Sequence, residues 1–133
     1  MSIARLFAEK SVVFSFEIFP PKRDSSIDTI WSTLEQLEGL GPDFISVTYG
    51  AGGDGGKSHT ARIAGAIRSR YGITPLAHLT CVNSTREQVL QSLAQLREEG
   101  VEDILALRGD RLPGVEPRTD FTYASDLISF IRQ

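Results

Sequence analysis

Short apolar runs recur along the chain at Val12–Ile18 (VVFSFEI), Phe44–Thr48 (FISVT), Pro75–Leu79 (PLAHL) and Asp103–Leu107 (DILAL). Their length and spacing predict strands. The segments between them carry apolar residues at helical spacing. Ile27, Ile30, Trp31, Leu34 and Leu37 fall on one face of a helix, and Ile63, Ala66 and Ile67 mark a second. Val89, Leu93 and Leu96 mark a third, which opens on Ser84-Thr85-Arg86-Glu87. That tetrad reads as a capping box, with the Ser84 and Glu87 side chains satisfying orphan backbone N–H groups. Gly72 and Gly100 follow the second and third helices, where a left-handed C-terminal residue is expected. A fourth helix is predicted from about Tyr123, with Leu127, Ile128 and Ile131 apolar.

The resulting order, β-α-β-α-β-α-β-α in units of roughly 30 residues, is what parallel βαβ units require. Two architectures use such units, the open doubly wound sheet and the (β/α)8 barrel. A barrel needs about 250 residues, so this chain supplies about half of one. The sequence stops inside the helix-like YASDLISFIRQ with no Gly or Pro stop, so the expectation is a truncated chain. No linker, low-complexity tract or second domain interrupts residues 1–133.

Composition narrows the setting. Hydrophobic residues make up 41% of the chain and charged residues 23%, enough for a packed core. The net charge is −3 and no Lys/Arg cluster stands out, which argues against a nucleic-acid surface. Cys81 is the sole cysteine, so no internal disulfide forms and a reducing compartment is expected. The opening MSIARLFAEK is short and amphipathic and lacks the apolar core of a signal peptide. No apolar run approaches the roughly 20 residues that span a membrane. The expectation is a soluble cytoplasmic protein with no membrane partner.

Strand alternation then sorts the polar residues. Val13, Ser15 and Glu17 share a face opposite Phe14, Phe16 and Ile18. Ser46 and Thr48 oppose Ile45 and Val47, and Leu76, His78 and Thr80 share a face. In the fourth strand Ala106, Arg108 and Asp110 continue one face if the chain stays extended. One face of each strand is thus apolar. The other turns polar toward the C-terminal end, at Glu17, Thr48, His78, and Arg108 with Asp110. Ligands of α/β proteins bind at that end. The alternative is that strand ends are simply where water begins.

Four motifs carry a resemblance. FSFEIFPPK (Phe14–Lys22), FISVTYGAGG (Phe44–Gly53), AHLTC (Ala77–Cys81) and LALRGD (Leu105–Asp110) resemble those of the flavin-dependent methylenetetrahydrofolate reductases, in that family's order and spacing. YASDL (Tyr123–Leu127) matches as well, so the likeness covers essentially the whole chain. It implies the first four βα units of a (β/α)8 TIM barrel with non-covalent FAD at the C-terminal strand ends. NADH or NADPH would reduce the flavin, which would pass hydride to 5,10-methylenetetrahydrofolate, giving 5-methyltetrahydrofolate for methionine synthesis. Glu17 matches the family's proton donor. Ring opening of the folate needs a proton on a leaving nitrogen, which a carboxylic acid can deliver. Asp110 would stabilise the cationic iminium and tune the flavin. Thr48, Tyr49, Ala51, His78, Arg108, Gly109, Asp110, Tyr123 and Ala124 match flavin-contacting positions. The resemblance also implies a homo-oligomer at full length, or association with the missing barrel half. By itself the segment is expected to be inactive.

Two competing readings attach to single motifs. AGGDGGKS (Ala51–Ser58) follows a strand, precedes a helix and approximates a phosphate-binding loop. Such a loop also needs a magnesium-binding acid at another strand end, and DILALRGD could be forced into that role only with Arg108 interrupting it. A nucleotide-binding protein built on residues 51–58 is therefore the alternative enzyme class, and a small non-catalytic α/β module the alternative outside enzymes. His78 and Cys81 form H-x-x-C without a second ligand pair, so no metal site is expected.

Overall fold

The alternation of apolar runs and helical segments folds into one parallel sheet. The computed structural model describes residues 2–21, 27–49, 59–118 and 120–133. Its elements are α1 (Ile3–Glu9), β1 (Ser15–Ile18), α2 (Asp28–Glu38), β2 (Phe44–Val47), α3 (His59–Tyr71), β3 (Thr74–Thr80), α4 (Arg86–Glu98), β4 (Asp103–Leu107) and α5 (Ala124–Ile131). The strands lie in the order β1-β2-β3-β4, every neighbouring pair parallel. A doubly wound sheet would reverse this order at a switch point, with helices on both faces. Here Ile18, Ile45, Val47 and Ala77 pack with Ile30, Leu34, Ile63, Ile67 and Leu96. Leu79 and Cys81 pack with Val89, Phe121 and Leu127. All six strand-derived residues belong to one face by register, so α2 to α5 form a single layer. That is the arrangement of consecutive βα units of a TIM barrel.

The other sheet face is open except at its N-terminal end, where α1 lies. The MSIARLFAEK segment is helical, which places a helix before the first strand that the βα pattern did not include. Ile3 and Leu6 pack on Phe44, with Val13 and Leu76 alongside. The Ile3 N–H donates to Asp103 Oδ1 at 3.2 Å. Phe44 and Asp103 begin their strands, so α1 covers the end opposite the polar groups.

Three local expectations are corrected. β1 forms only over Ser15–Ile18, because Phe14 instead bonds Asp43 through both main-chain groups. The cap of α4 sits one residue later than expected. Thr85 accepts from the Gln88 N–H, and the Gln88 side chain accepts from the Thr85 N–H. Ser84 is drawn instead into a turn, its N–H donating to the Cys81 carbonyl. The glycines at the helix ends fall where expected, Gly72 at φ +65° and Gly100 at φ +74°. Around Gly100 the Val101 N–H reaches the Leu96 carbonyl and the Gly100 N–H that of Arg97, a Schellman closure.

The third correction concerns β4. His78 pairs with Leu105 and Thr80 with Leu107, so Leu105 and Leu107 occupy the open face. Ala106 aligns with Leu79 and packs toward the helices. Arg108 continues that side, and the chain then leaves the extended conformation at Gly109, φ +83°. The simple alternation Ala106, Arg108, Asp110 therefore does not line the open face.

Candidate functional site

Neighbouring residues of a parallel sheet project from the same side, and the register exploits this. Glu17 stands opposite Ser46, and β3 brings His78 to the same open face two positions beyond Leu76, the partner of Ser46. Three polar side chains from three consecutive strands meet there. The Ser46 Oγ–H donates to Glu17 Oε1 at 3.3 Å, and His78 Nε2 lies 3.4 Å from the same oxygen. Ser46 and His78 are buried, whereas the Glu17 side chain is 49% exposed. The Glu17–His78 approach is close enough for an ion pair, but its direction does not make a hydrogen bond. His78 Nε2 is thus buried without one among the described residues. A buried ring nitrogen in that state is costly unless something meets it.

Thr48 follows Ser46 at the end of β2. Its N–H donates to the Ile18 carbonyl and its carbonyl accepts from the Thr60 hydroxyl at 2.9 Å, which ties the strand end to the start of α3. Tyr49 turns its ring to the helix layer, against the Leu79–Leu127 cluster. Ala51 and the rest of the AGGDGGKS loop lie outside the described residues.

Beyond β4 the chain is shaped by one glycine. A Cβ on Gly109 would sit 2.8 Å from the Thr80 Cβ, and its φ disfavours L side chains independently. The Arg108 carbonyl accepts from both Cys81 and Val82 N–H groups, a bulge that closes the β3–β4 ladder. The Asn83 side-chain amide donates to the Asp110 carbonyl at 3.0 Å, and the Arg118 N–H donates to the Val82 carbonyl. The segment after β4 is therefore stitched to the β3–α4 turn at the C-terminal end of the sheet. The Arg108 and Asp110 side chains are exposed there, with the Arg108 Nε bonded to the Gly109 carbonyl. Tyr123 and Ala124 stand at the start of α5. Asp126 Oδ2 accepts from the N–H groups of Thr122 and Tyr123, and the Tyr123 side chain is exposed.

The structure thus brings Glu17 and His78 within 3.4 Å of each other, sets Thr48 beside them, turns the Tyr49 ring away to the helix layer, and places Arg108, Gly109, Asp110, Tyr123 and Ala124 on neighbouring connections at the same end. Ser46, Thr80 and Asn83 were not singled out as site residues from the sequence. Ser46 had a readable signal, since it lies two residues before Thr48 on the polar face. Thr80 and Asn83 act through contacts across the sheet end that no local pattern carries. Cys81 faces the helix layer, away from His78, so the H-x-x-C pair does not converge. Burial pushes its thiol pKa up, the Asp126 carboxylate adds to this, and Arg108 opposes it in part. Among the described residues no helix is long and apolar enough to cross a membrane.

The family model for methylenetetrahydrofolate reductase matches residues 2–133. The chain is 40% identical over 119 residues to the 5,10-methylenetetrahydrofolate reductase of Pectobacterium carotovorum, covering 90% of this chain and 39% of that protein. It is 37% identical over 120 residues to the Escherichia coli protein of the same name, again 90% of this chain and 39% of the relative. With methylenetetrahydrofolate reductase (NADH) 1 of Arabidopsis thaliana the identity is 35% over 123 residues, 90% of this chain and 21% of the plant protein. The chain therefore spans about two fifths of the length of the bacterial relatives. The family match runs straight through residues 51–58, so the phosphate-loop alternative is not favoured.

Proposed function

The chain belongs to the methylenetetrahydrofolate reductase family, and from that premise we propose that the protein to which it contributes reduces 5,10-methylenetetrahydrofolate to 5-methyltetrahydrofolate. The observation that carries this reading is the Glu17 carboxyl, half exposed on the open sheet face and held by Ser46 beside His78. Methylenetetrahydrofolate is inert to reduction until its five-membered ring opens. Opening requires a proton on the departing nitrogen and generates a cation. Glu17 provides the proton, because its half-exposed carboxyl stands on the sheet face on which a ligand can lie. Asp110, exposed at the end of β4, lies at the same end and supplies a negative charge to offset the cation.

The residues at this end fit a non-covalent FAD. His78 offers a buried nitrogen without a hydrogen bond among the described residues, Arg108 an exposed cation, and Tyr123 an exposed aromatic ring. Thr48, Gly109, Asp110 and Ala124 complete the set that would hold it, with Tyr49 contributing through its main chain because its ring packs in the helix layer, and with Ala51 beyond the described residues. When bound, FAD would supply the two-electron relay between a nicotinamide, NADH or NADPH, and the folate. The residues of this chain would orient both reactants, exclude water from the open face and deliver the proton. One-carbon metabolism in the cytoplasm, and a single barrel domain completed by the remaining chain or a partner copy, belong to the same reading.

The test is spectroscopic. Purified full-length protein should retain flavin absorption near 1:1, lose it on anaerobic addition of NADH or NADPH, and regain it on addition of methylenetetrahydrofolate with formation of 5-methyltetrahydrofolate. A full-length protein that binds no flavin, or whose reduced flavin ignores the folate, contradicts the proposal.

A further inference from the structure

The open-face cluster assigns a role to Ser46. Resting on the reading of Glu17 as the proton donor, we propose that Ser46 is a positioning residue that fixes Glu17 through Oε1 and so dedicates Oε2 to the acid proton. The register sets Ser46 directly opposite Glu17 on the neighbouring strand. Ser46 is buried, so its hydroxyl needs a partner, and the Glu17 carboxyl at 3.3 Å provides it. His78 Nε2 approaches the same oxygen at 3.4 Å from the adjoining strand. Ser46 and His78 therefore crowd Oε1, while no hydrogen bond from the described residues reaches Oε2.

A carboxylic acid carries its proton on one oxygen, and that oxygen then has less capacity to accept. The oxygen that already accepts from Ser46 is the poorer place for it. Oε2, which no described donor reaches, is then the oxygen left to carry the proton to the substrate. Without the Ser46 hydroxyl the two oxygens lose their distinction, and the carboxyl can turn its proton toward His78 and away from substrate. The consequence is confined to the proton-delivery half of the reaction, since flavin reduction by a nicotinamide does not draw on Glu17.

The experiment uses full-length, FAD-loaded enzyme carrying Ser46→Ala, with Ser46→Cys as a second variant that keeps the volume but donates weakly. Rapid mixing should show flavin reduction by NADH or NADPH within about twofold of wild type. Reoxidation by methylenetetrahydrofolate should slow by about tenfold, the upper end of what one lost hydrogen bond between neutral groups gives. A second readout needs no turnover. In infrared difference spectra of the flavin-stripped protein, the carboxyl band that Glu17→Gln abolishes should move to higher frequency in Ser46→Ala, because Oε1 has lost a donor. An unmoved band with an unchanged folate step overturns the Ser46 assignment alone, and equal slowing of both half-reactions overturns it in favour of a general structural role. Undiminished folate reduction by Glu17→Gln removes the acid reading itself, and the Ser46 assignment with it.

Discussion

At the scale of single residues, the chemistry turns on which face a side chain occupies. Asp110 is exposed, and among the described residues its hydrogen bond is through the main chain, to Asn83, which leaves its carboxylate available to a ligand. Asp110→Asn is expected to keep FAD, change the flavin's reduction potential and slow the folate half-reaction. A redox titration and rapid mixing measure both, and an unchanged potential with an unchanged rate contradicts the role. Cys81 makes the opposite case. Its thiol is enclosed by Leu79, Val89, Phe121 and Leu127, and its Sγ–H points to the Tyr123 carbonyl at 3.9 Å. Because its folded-state pKa is raised, the thiol stays protonated at neutral pH and is a poor nucleophile. A thiol reagent should label native full-length protein at least tenfold more slowly than unfolded protein. The same shift has a sign for stability. Below the ordinary thiol range both states hold the proton and nothing is lost. As pH rises through that range only the unfolded state ionises, and this group's contribution is lost.

At the scale of elements, the turn after β4 is the most constrained feature. Gly109→Ala places a Cβ 2.8 Å from the Thr80 Cβ in a left-handed conformation. The conformational cost alone is about 1–2 kcal/mol, and the overlap with a β-branched neighbour adds to it. Thermal or denaturant unfolding of the full-length variant should show a loss of at least that size, partly recovered by Thr80→Ala in the double variant. Full recovery would mean that only the contact matters, and no loss at all would contradict the turn geometry. These elements also show where the sequence could be read. Phe44–Val47 and Asp103–Leu107 were visible as apolar runs, and α2 to α5 as helical periodicity, because the packing layer demands those residues. The single layer of helices was not visible, since both faces of a doubly wound sheet ask for the same apolar strands. The face of β4 was misread because its open side carries Leu105 and Leu107, apolar residues where polar ones were sought. The Thr85–Gln88 cap was displaced by one residue because Ser84 found a turn partner in Cys81. The common polar strand end of Glu17, Thr48 and His78 was legible from alternation. Ser46 was legible as a position on that face, and its bond to Glu17 emerged only with the register.

At the scale of the whole molecule, the sheet is polarised along its strands. α1 closes the N-terminal end of the open face with Ile3 and Leu6, while Glu17, Ser46, His78 and the post-β4 turn gather toward the other. Apolar packing of α1 and the polar cluster thus lie toward opposite ends of the open face. The layer formed by α2 to α5 lies on the side away from Glu17. The account's central claim is that the carboxyl on this face delivers the proton that opens the folate ring. The measurement that tests it most directly is anaerobic rapid mixing of full-length, FAD-loaded Glu17→Gln in two half-reactions. Flavin reduction by NADH or NADPH should proceed at close to the wild-type rate. Reoxidation by methylenetetrahydrofolate should fall by at least about a hundredfold, the lower bound for losing a general acid. Reoxidation at the wild-type rate would contradict the claim and move the proton donor elsewhere in the protein.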